Sequence, residues 1–232
     1  MSRKIDLVVF DIAGTTVKDN GEVVTALAKA MAKFKYMVPA SKIRPLMGYQ
    51  KPVAIKMLLE IYELEPEKIT GELIDNIHEE FLHLMLSYYE ITNELQALPF
   101  VEDVFAWLHE NGVKVALDTG FSSNITETII NRLAWIENGM VDCVVSSDEV
   151  DAGRPAPFMI HKIMDELGVL KTSRVIKVGD TEVDVNEGKN SGCLYSIAVT
   201  TGAFSRDELL PYEPSYIIDS MDELIPILSP HL

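Results

Sequence analysis

Polar side chains stand directly after several short apolar runs of the sequence, and the first of them is Asp11. The four residues before it, Leu7-Val8-Val9-Phe10, are typical of a strand buried on both faces of a parallel sheet. Because ligands bind at the carboxyl ends of such strands, Asp11 is a candidate site residue. Taken alone, it is explained slightly better as a turn or helix-cap aspartate.

Three further predicted strand ends carry polar groups, and together they favour a binding site. Asp11 and Asp180 could hold a hard divalent cation through oxygen, for which Mg²⁺ fits best. Thr119 and the backbone N–H of Gly120 stand at a predicted helix start, where phosphate oxygens bind. Arg154, between a glycine and a proline, supplies a rigid cation that can neutralise a carboxylate or a phosphate.

Alternating strands and helices must position these side chains. Short apolar runs predict strands at 113–117, 141–145, 174–178, 194–199 and 216–218. Helical periodicity predicts helices between them, at 101–110, 124–133, 155–167, 183–190 and 221–228. The alternation predicts an α/β fold, a Rossmann-like parallel sheet with helices on both faces.

A block of helices interrupts this alternation after the first strand. The pattern predicts helices at 22–36, at 41–48 with Ser41 as N-cap, at 51–62 and from Pro66 to about residue 91. We therefore expect a Rossmann-like catalytic core of residues 1–18 and 99–232 with an inserted all-α cap domain of residues 19–98. A cleft between the two would close over a small substrate and exclude water.

The composition is that of a globular protein with a strongly acidic balance. The net charge of −16 argues against non-specific binding to nucleic acid or to an anionic membrane. Cys143 and Cys193 lie in apolar sequence, which favours buried thiols over a disulfide. No signal peptide or membrane-spanning stretch is recognisable. We expect a soluble cytoplasmic protein acting on a small molecule, with apolar cap residues that could support a homodimer.

The motifs, taken in order, resemble those of the haloacid dehalogenase-like hydrolases. They are Phe10-Asp11 with Gly14-Thr15-Thr16, Thr119-Gly120, Arg154-Pro155, and Gly179-Asp180 with Asp184. They cover nearly the whole chain. The combination of DxAGTT, AGRP and KVGDTxxD resembles, more narrowly, the phosphonoacetaldehyde hydrolases (phosphonatases) and their phosphonatase-like relatives.

The resemblance implies a role for each matching residue. Asp11 would be the nucleophile that forms an aspartyl-phosphate. Mg²⁺ would be held by Asp11, the backbone carbonyl of Ala13 and Asp180, with Asp184 supporting it through water. Thr119 and Arg154 would bind the transferring phosphoryl group and stabilise its charge. Gly120, Thr15, Met47 and Gly48 would complete the substrate-binding residues.

Ala13 departs from most of the family, which carries an acid–base aspartate at this position. A phosphate ester needs its leaving oxygen protonated, whereas cleavage of a C–P bond leaves carbon and has no use for that acid. Ala13 therefore suits a phosphonatase. The alternative is a weakened phosphatase or a site that has drifted.

Lys51 is the second residue, after Ala13, that bears on the choice between a phosphonatase and a phosphatase. The segment Met47-Gly48-Tyr49-Gln50-Lys51 resembles the MGxxK segment of phosphonatases. The resemblance implies that Lys51 forms a Schiff base with an aldehyde, which makes the carbon an electron sink. An arbitrary lysine before a helix is simply solvated, but the Met-Gly context favours the functional interpretation. Two residues depart from the phosphonatase pattern, Ala54 in place of histidine and Phe121 in place of tyrosine, and both remove polar groups near the expected imine.

Three functions therefore compete. The leading hypothesis is a Mg²⁺-dependent hydrolase that cleaves the C–P bond of a 2-oxoalkylphosphonate through Asp11 and Lys51. The alternative is a phosphatase of small phosphate esters, such as phosphoglycolate or a sugar phosphate, in which Lys51 only binds substrate. A catalytically idle binding protein is the third, and the intact Asp11, Thr119, Arg154 and Asp180 argue against it.

Overall fold

A six-stranded, wholly parallel sheet forms the centre of the computed structural model, which describes residues 5–232. The strands lie in the order β3-β2-β1-β4-β5-β6. Their bounds are β1 Leu7–Phe10, β2 Lys114–Thr119, β3 Cys143–Ser146, β4 Val175–Gly179, β5 Tyr195–Val199 and β6 Tyr216–Ile218. The predicted α/β fold is confirmed.

Strand β1 lies in the middle of the sheet because every one of its side chains is apolar and buried. Leu7 and Val9 pack into the core on one face, while Val8 and Phe10 pack into the larger core on the other. Hydrogen bonds to β2 on one side and β4 on the other bring three strand ends together. Asp11 follows directly at that edge of the sheet.

Helices cover both faces of the sheet, as α/β architecture requires. The helices that follow the helical insertion in the chain are numbered from α5, because four helices of the insertion precede them. They are α5 Val101–Glu110, α6 Ser123–Leu133, α7 Phe158–Leu167, α8 Glu182–Ser191, α9 Arg206–Leu209 and α10 Leu224–Leu228. The helix predicted from residue 155 begins only at Phe158, because the preceding turn carries Arg154 into the sheet edge.

Four helices lie between β1 and α5, which agrees with the predicted helical insertion. They are α1 Glu22–Lys33, α2 Ala40–Ile43, α3 Lys51–Tyr62 and α4 Gly71–Ile91. The long helix α4 packs against α1 and α3 and also against α6. The division into a core and a cap at residues 19 and 98 remains a prediction.

Two details of the predicted insertion were wrong. Ser41 is not an N-cap, since α2 begins after Pro39 without a side-chain cap and a 3₁₀ turn, Arg44–Leu46, follows it. The segment opened by Pro66 forms only a 3₁₀ turn. The long helix starts later because the Thr70 hydroxyl accepts the Leu73 N–H at 3.1 Å and caps it there.

The two cysteines, Cys143 and Cys193, are both free, as expected. Cys143 is buried and Cys193 is partly buried. Among residues 5–232, no helix combines the length and the apolar character needed to cross a bilayer.

Candidate active site

A small cavity opens where the ends of β1, β2 and β4 face the first turn of α3. Eight residues predicted for the site line it: Asp11, Ala13, Met47, Gly48, Lys51, Thr119, Gly120 and Asp180. Phe121, which was expected near the imine, lines it as well, as do four residues that sequence reasoning did not assign to the site: Asp19, Val23, Thr181 and Ala203. The remaining predicted residues, Thr15, Arg154 and Asp184, lie behind this lining.

The cavity is small, with a volume of about 30 Å³, which is room for ordered water between the sheet edge and the helical insertion.

Asp11 is a buried carboxylate held from behind. Arg154 Nη1 lies 2.5 Å from Asp11 Oδ1, and the Thr16 hydroxyl donates to the Asp11 carbonyl oxygen at 2.8 Å. Burial raises the pKa of Asp11 to about 6 despite the opposing charge of Arg154. The carboxylate is thus oriented and part of its charge is compensated before any substrate arrives.

Arg154 lies beneath Asp11 and does not line the cavity. Its guanidinium contacts the Asp118 carbonyl oxygen at 2.6 Å, Asp184 at 3.0 Å and Glu187 at 3.2 Å. In this arrangement Arg154 positions the candidate nucleophile. Its predicted contact with a phosphoryl group remains a prediction.

Lys177 is a second buried cation that sequence reasoning did not assign. It forms ion pairs with Asp118, with Asp184 at 3.2 Å and with Glu187 at 3.2 Å, and it is fully buried. A lysine in the middle of the apolar strand β4 was the available signal, because a charge there requires buried partners. The sequence alone did not identify Asp118 or Glu187 as those partners.

Burial and neighbouring charges shift the pKa values of Asp118 and Glu187 in opposite directions. Although burial alone would raise it, the charges of Arg154 and Lys177 hold the pKa of Asp118 below its usual range. Burial, followed by the neighbouring charge of Asp118, raises the pKa of Glu187 well above its usual range.

Asp11 and Asp180 fit a hard cation. Asp180 accepts hydrogen bonds from the Thr15 hydroxyl at 3.3 Å and from the Ala203 N–H at 2.5 Å. Burial and then the charge of Asp11 raise the pKa of Asp180 well above its usual range. A divalent cation between the two carboxylates would relieve this repulsion, and Ala13 lines the same space.

A different set of carboxylates also clusters, but its chemistry suits a metal poorly. Single oxygens of Asp11, Asp118 and Asp184 lie within 4.8 Å of one another. Arg154 contacts all three carboxylates, and Lys177 contacts two of them. These protein cations already occupy the position that a metal ion would need.

Gly120 allows the helical insertion to pack directly onto the sheet edge. A Cβ atom at this position would lie 2.5 Å from the Gly48 carbonyl oxygen and 2.7 Å from the Tyr49 carbonyl oxygen. The adjacent Thr119 hydroxyl accepts the Phe121 N–H at 3.2 Å, which leaves its proton free to donate into the cavity.

Lys51 lies at the first position of α3, with only 4% of its surface exposed. Its ammonium donates to the Tyr49 carbonyl oxygen at 3.2 Å and lies 5.3 Å and 5.9 Å from the ring centres of Phe121 and Phe81. Within residues 5–232, no carboxylate forms an ion pair with it. Burial lowers the pKa of Lys51 to about 8.

The family follows from sequence similarity over most of the chain. The sequence model of the haloacid dehalogenase-like hydrolases matches residues 5–192. The chain is 33% identical over 230 residues to the phosphonoacetaldehyde hydrolase of Bacillus cereus, an alignment that covers 95% of this chain and 83% of the relative. The chain therefore belongs to the haloacid dehalogenase-like hydrolases, within their phosphonatase-like group, and is a hydrolase.

Solved structures agree with the fold. A phosphonoacetaldehyde hydrolase-like protein from Oleispira antarctica superposes with a TM-score of 0.85 at 22% identity, covering 98% of this chain and 92% of that one. A hydrolase from Pseudomonas syringae superposes with a TM-score of 0.85 at 17% identity, covering 97% and 98%. At these identities the superpositions support the architecture alone.

Proposed function

We propose that this chain is a Mg²⁺-dependent phosphonatase-like hydrolase, which cleaves the C–P bond of a small 2-oxoalkylphosphonate such as phosphonoacetaldehyde. The observation that carries the proposal is Lys51, a buried amine that lines the same cavity as Asp11. Its pKa of about 8 leaves roughly a tenth of the amine neutral at pH 7, and the neutral form is the one that attacks a carbonyl.

In the first half of the proposed reaction, the neutral Lys51 amine attacks the aldehyde carbon. Loss of water then leaves an iminium ion on the lysine nitrogen. The positive nitrogen can accept the electron pair of the C–P bond, which a free aldehyde accepts less readily. The apolar rings of Phe81 and Phe121 exclude water from this nitrogen.

In the second half, an Asp11 carboxylate oxygen attacks phosphorus. The C–P bond breaks, its electrons form an enamine on Lys51, and the phosphoryl group becomes an aspartyl-phosphate. Protonation of the enamine carbon, hydrolysis of the imine and hydrolysis of the aspartyl-phosphate then release an aldehyde and phosphate. Mg²⁺ held by Asp11, the Ala13 carbonyl and Asp180 would neutralise charge on the phosphoryl oxygens.

The alternative is a phosphatase of small phosphate esters with Lys51 as a binding residue. The observation that favours it is the apolar setting of Lys51, with Ala54 and Phe121 buried at the positions where the phosphonatase pattern has polar side chains. Against it stands Ala13, which provides no acid for an oxygen leaving group.

Phosphate release from phosphonoacetaldehyde in the presence of Mg²⁺ separates the two. We expect turnover by the native protein and a loss of at least about 10³-fold in Lys51→Arg, since arginine keeps the charge but forms no imine. Lys56→Arg, an exposed lysine on the same helix, is the matched control and should retain native activity. If neither the native protein nor Lys51→Arg acts on this substrate while both hydrolyse phosphate esters, the phosphatase replaces the phosphonatase.

We also propose a cytoplasmic location and a homodimer for this enzyme. Free Cys143 and Cys193 support a reducing compartment. Exposed apolar side chains on the helical insertion, among them Leu64 at 92% and Ile91 at 79%, support self-association. Light scattering of the purified protein tests the dimer directly.

A further inference from the structure

Asp19 lines the same cavity as Lys51 and Asp11, but it takes no part in the reaction steps described above. The backbone N–H groups of Gly21 and Glu22 donate to Asp19 Oδ1 at 3.0 Å and 2.9 Å. These bonds hold one oxygen of the carboxyl group just before α1. The Glu22 side chain forms a further hydrogen bond with this carboxyl group.

The reaction under "Proposed function", on which this inference rests, needs proton transfers that neither Asp11 nor Asp180 can supply. Loss of water from the carbinolamine requires an acid at the departing oxygen. The enamine then requires an acid at its terminal carbon. Asp11 is engaged with phosphorus and Asp180 with the cation, while Ala54 offers no ionisable group.

We propose that Asp19 is the acid–base group that moves protons to and from the substrate carried on Lys51. The Asp19 carboxylic acid protonates the carbinolamine hydroxyl, which leaves as water and produces the iminium ion. The resulting carboxylate takes a proton from solvent. After the C–P bond breaks, Asp19 delivers that proton to the enamine carbon, and the iminium ion of the product aldehyde forms.

The surroundings of Asp19 support this role. Burial, then a hydrogen bond with the Glu22 side chain, raises the pKa of Asp19 to about 6, so both protonation states are accessible near neutral pH. Glu22 is only partly buried and gives the proton a path to solvent. The charge of Asp19 also acts on Lys51 and on Tyr89. Asp11 and Asp180 line the same cavity.

Deuterium exchange into acetaldehyde tests the inference without any phosphoryl chemistry. In D₂O an imine of acetaldehyde on Lys51 loses a methyl proton to a base, and a deuteron returns, so the methyl signal decays in a proton NMR spectrum. Borohydride trapping, read by mass spectrometry as an added ethyl group, reports imine formation separately. Asp19→Asn suits both assays because its amide oxygen can still accept from Gly21 and Glu22.

We expect Asp19→Asn to reach the native extent of imine trapping only after longer incubation, because loss of water from the carbinolamine is slower, and to exchange at least about 10²-fold more slowly than the native protein. Asp75→Asn, an exposed aspartate on α4, should exchange like the native protein. If trapping and exchange fall together in Asp19→Asn, Asp19→Glu decides: partial recovery of exchange supports the role, and no recovery overturns it.

Two other outcomes separate this inference from the proposed function. Native exchange and native trapping by Asp19→Asn overturn the role of Asp19 and leave the Schiff base on Lys51 standing. Absence of any trapped adduct in the native protein overturns the proposed function, and the role of Asp19 falls with it.

Discussion

At the scale of single residues, Lys51 shows how burial changes a side chain's chemistry. Two aromatic rings and a carbonyl oxygen surround its ammonium where a surface lysine would meet water. The first-turn position on α3 adds the positive end of the helix dipole, which also disfavours the charged form.

This environment predicts the pH dependence of imine formation. Because the folded-state pKa of Lys51 is lowered to about 8, the neutral amine increases as pH rises and reaches half near that value. The initial rate of acetaldehyde trapping by borohydride should rise about eightfold from pH 6.5 to 7.5 and level off above pH 9. A midpoint near 10.4, the value of a solvated lysine, would contradict this assignment.

Lys177 should contribute chiefly to stability. Lys177→Met leaves the carboxylates of Asp118 and Asp184 without one of their two cations, and we expect a loss of about 3–5 kcal/mol in the free energy of unfolding. Urea unfolding measures this loss, with Lys171→Met at an exposed position as control. A loss below about 1 kcal/mol, as at a surface ion pair, would show that Arg154 alone compensates the cluster.

At the scale of elements, the loop before α3 must reach the end of β2. It does so because Gly120 has no side chain to hold the Gly48 and Tyr49 carbonyls away. The position of Lys51 relative to Asp11 therefore depends on this contact between the insertion and the sheet.

Gly120→Ala should displace the loop while leaving the sheet folded. We expect kcat/KM to fall by about 10²-fold, since small misplacements of reacting groups are that costly. The melting temperature should change little, because the rest of the core is untouched. Gly71→Ala is the control, because a Cβ atom there meets no other atom within 4 Å and the backbone is not left-handed as it is at Gly139. Equal kcat/KM values for Gly120→Ala and native protein would refute the packing argument.

At the scale of the whole molecule, two halves of the chemistry come from different parts of the chain. The sheet edge supplies the carboxylates of Asp11 and Asp180, which we propose as ligands of the cation, while α3 supplies the amine of Lys51. Cation binding at the sheet edge and imine formation on α3 can therefore be abolished independently of each other.

Chelation of divalent metal by EDTA should make that separation visible. We expect phosphate release from phosphonoacetaldehyde to stop and acetaldehyde trapping on Lys51 to continue at a similar rate, because imine formation does not need the cation. Readdition of Mg²⁺ should restore phosphate release. Loss of both activities on chelation would show instead that the cation organises the helical insertion as well.

The sequence by itself determined the succession of strands and helices along the chain and the polar residues that follow the strands. Apolar runs are local signals, and a parallel sheet places the polar residues that follow them at one edge, so Asp11, Thr119 and Asp180 could be grouped in advance. The resemblance of the segment before Lys51 to the MGxxK segment of phosphonatases likewise made this lysine a candidate. These are patterns of short range, which a sequence displays directly.

Only the tertiary structure decided which charges meet. Arg154 lies beneath Asp11 among carboxylates from β2 and α8, an arrangement that no local pattern reports, and its expected contact with a phosphoryl group remains a prediction. Lys177 carries no local mark of its partner Asp118, because packing joins two residues that lie 59 positions apart in the chain. Asp19 likewise carries no mark of its place in the same cavity as Lys51. The pKa of Lys51 also depends on burial by α4 and by the loop after β2, which no local pattern reports.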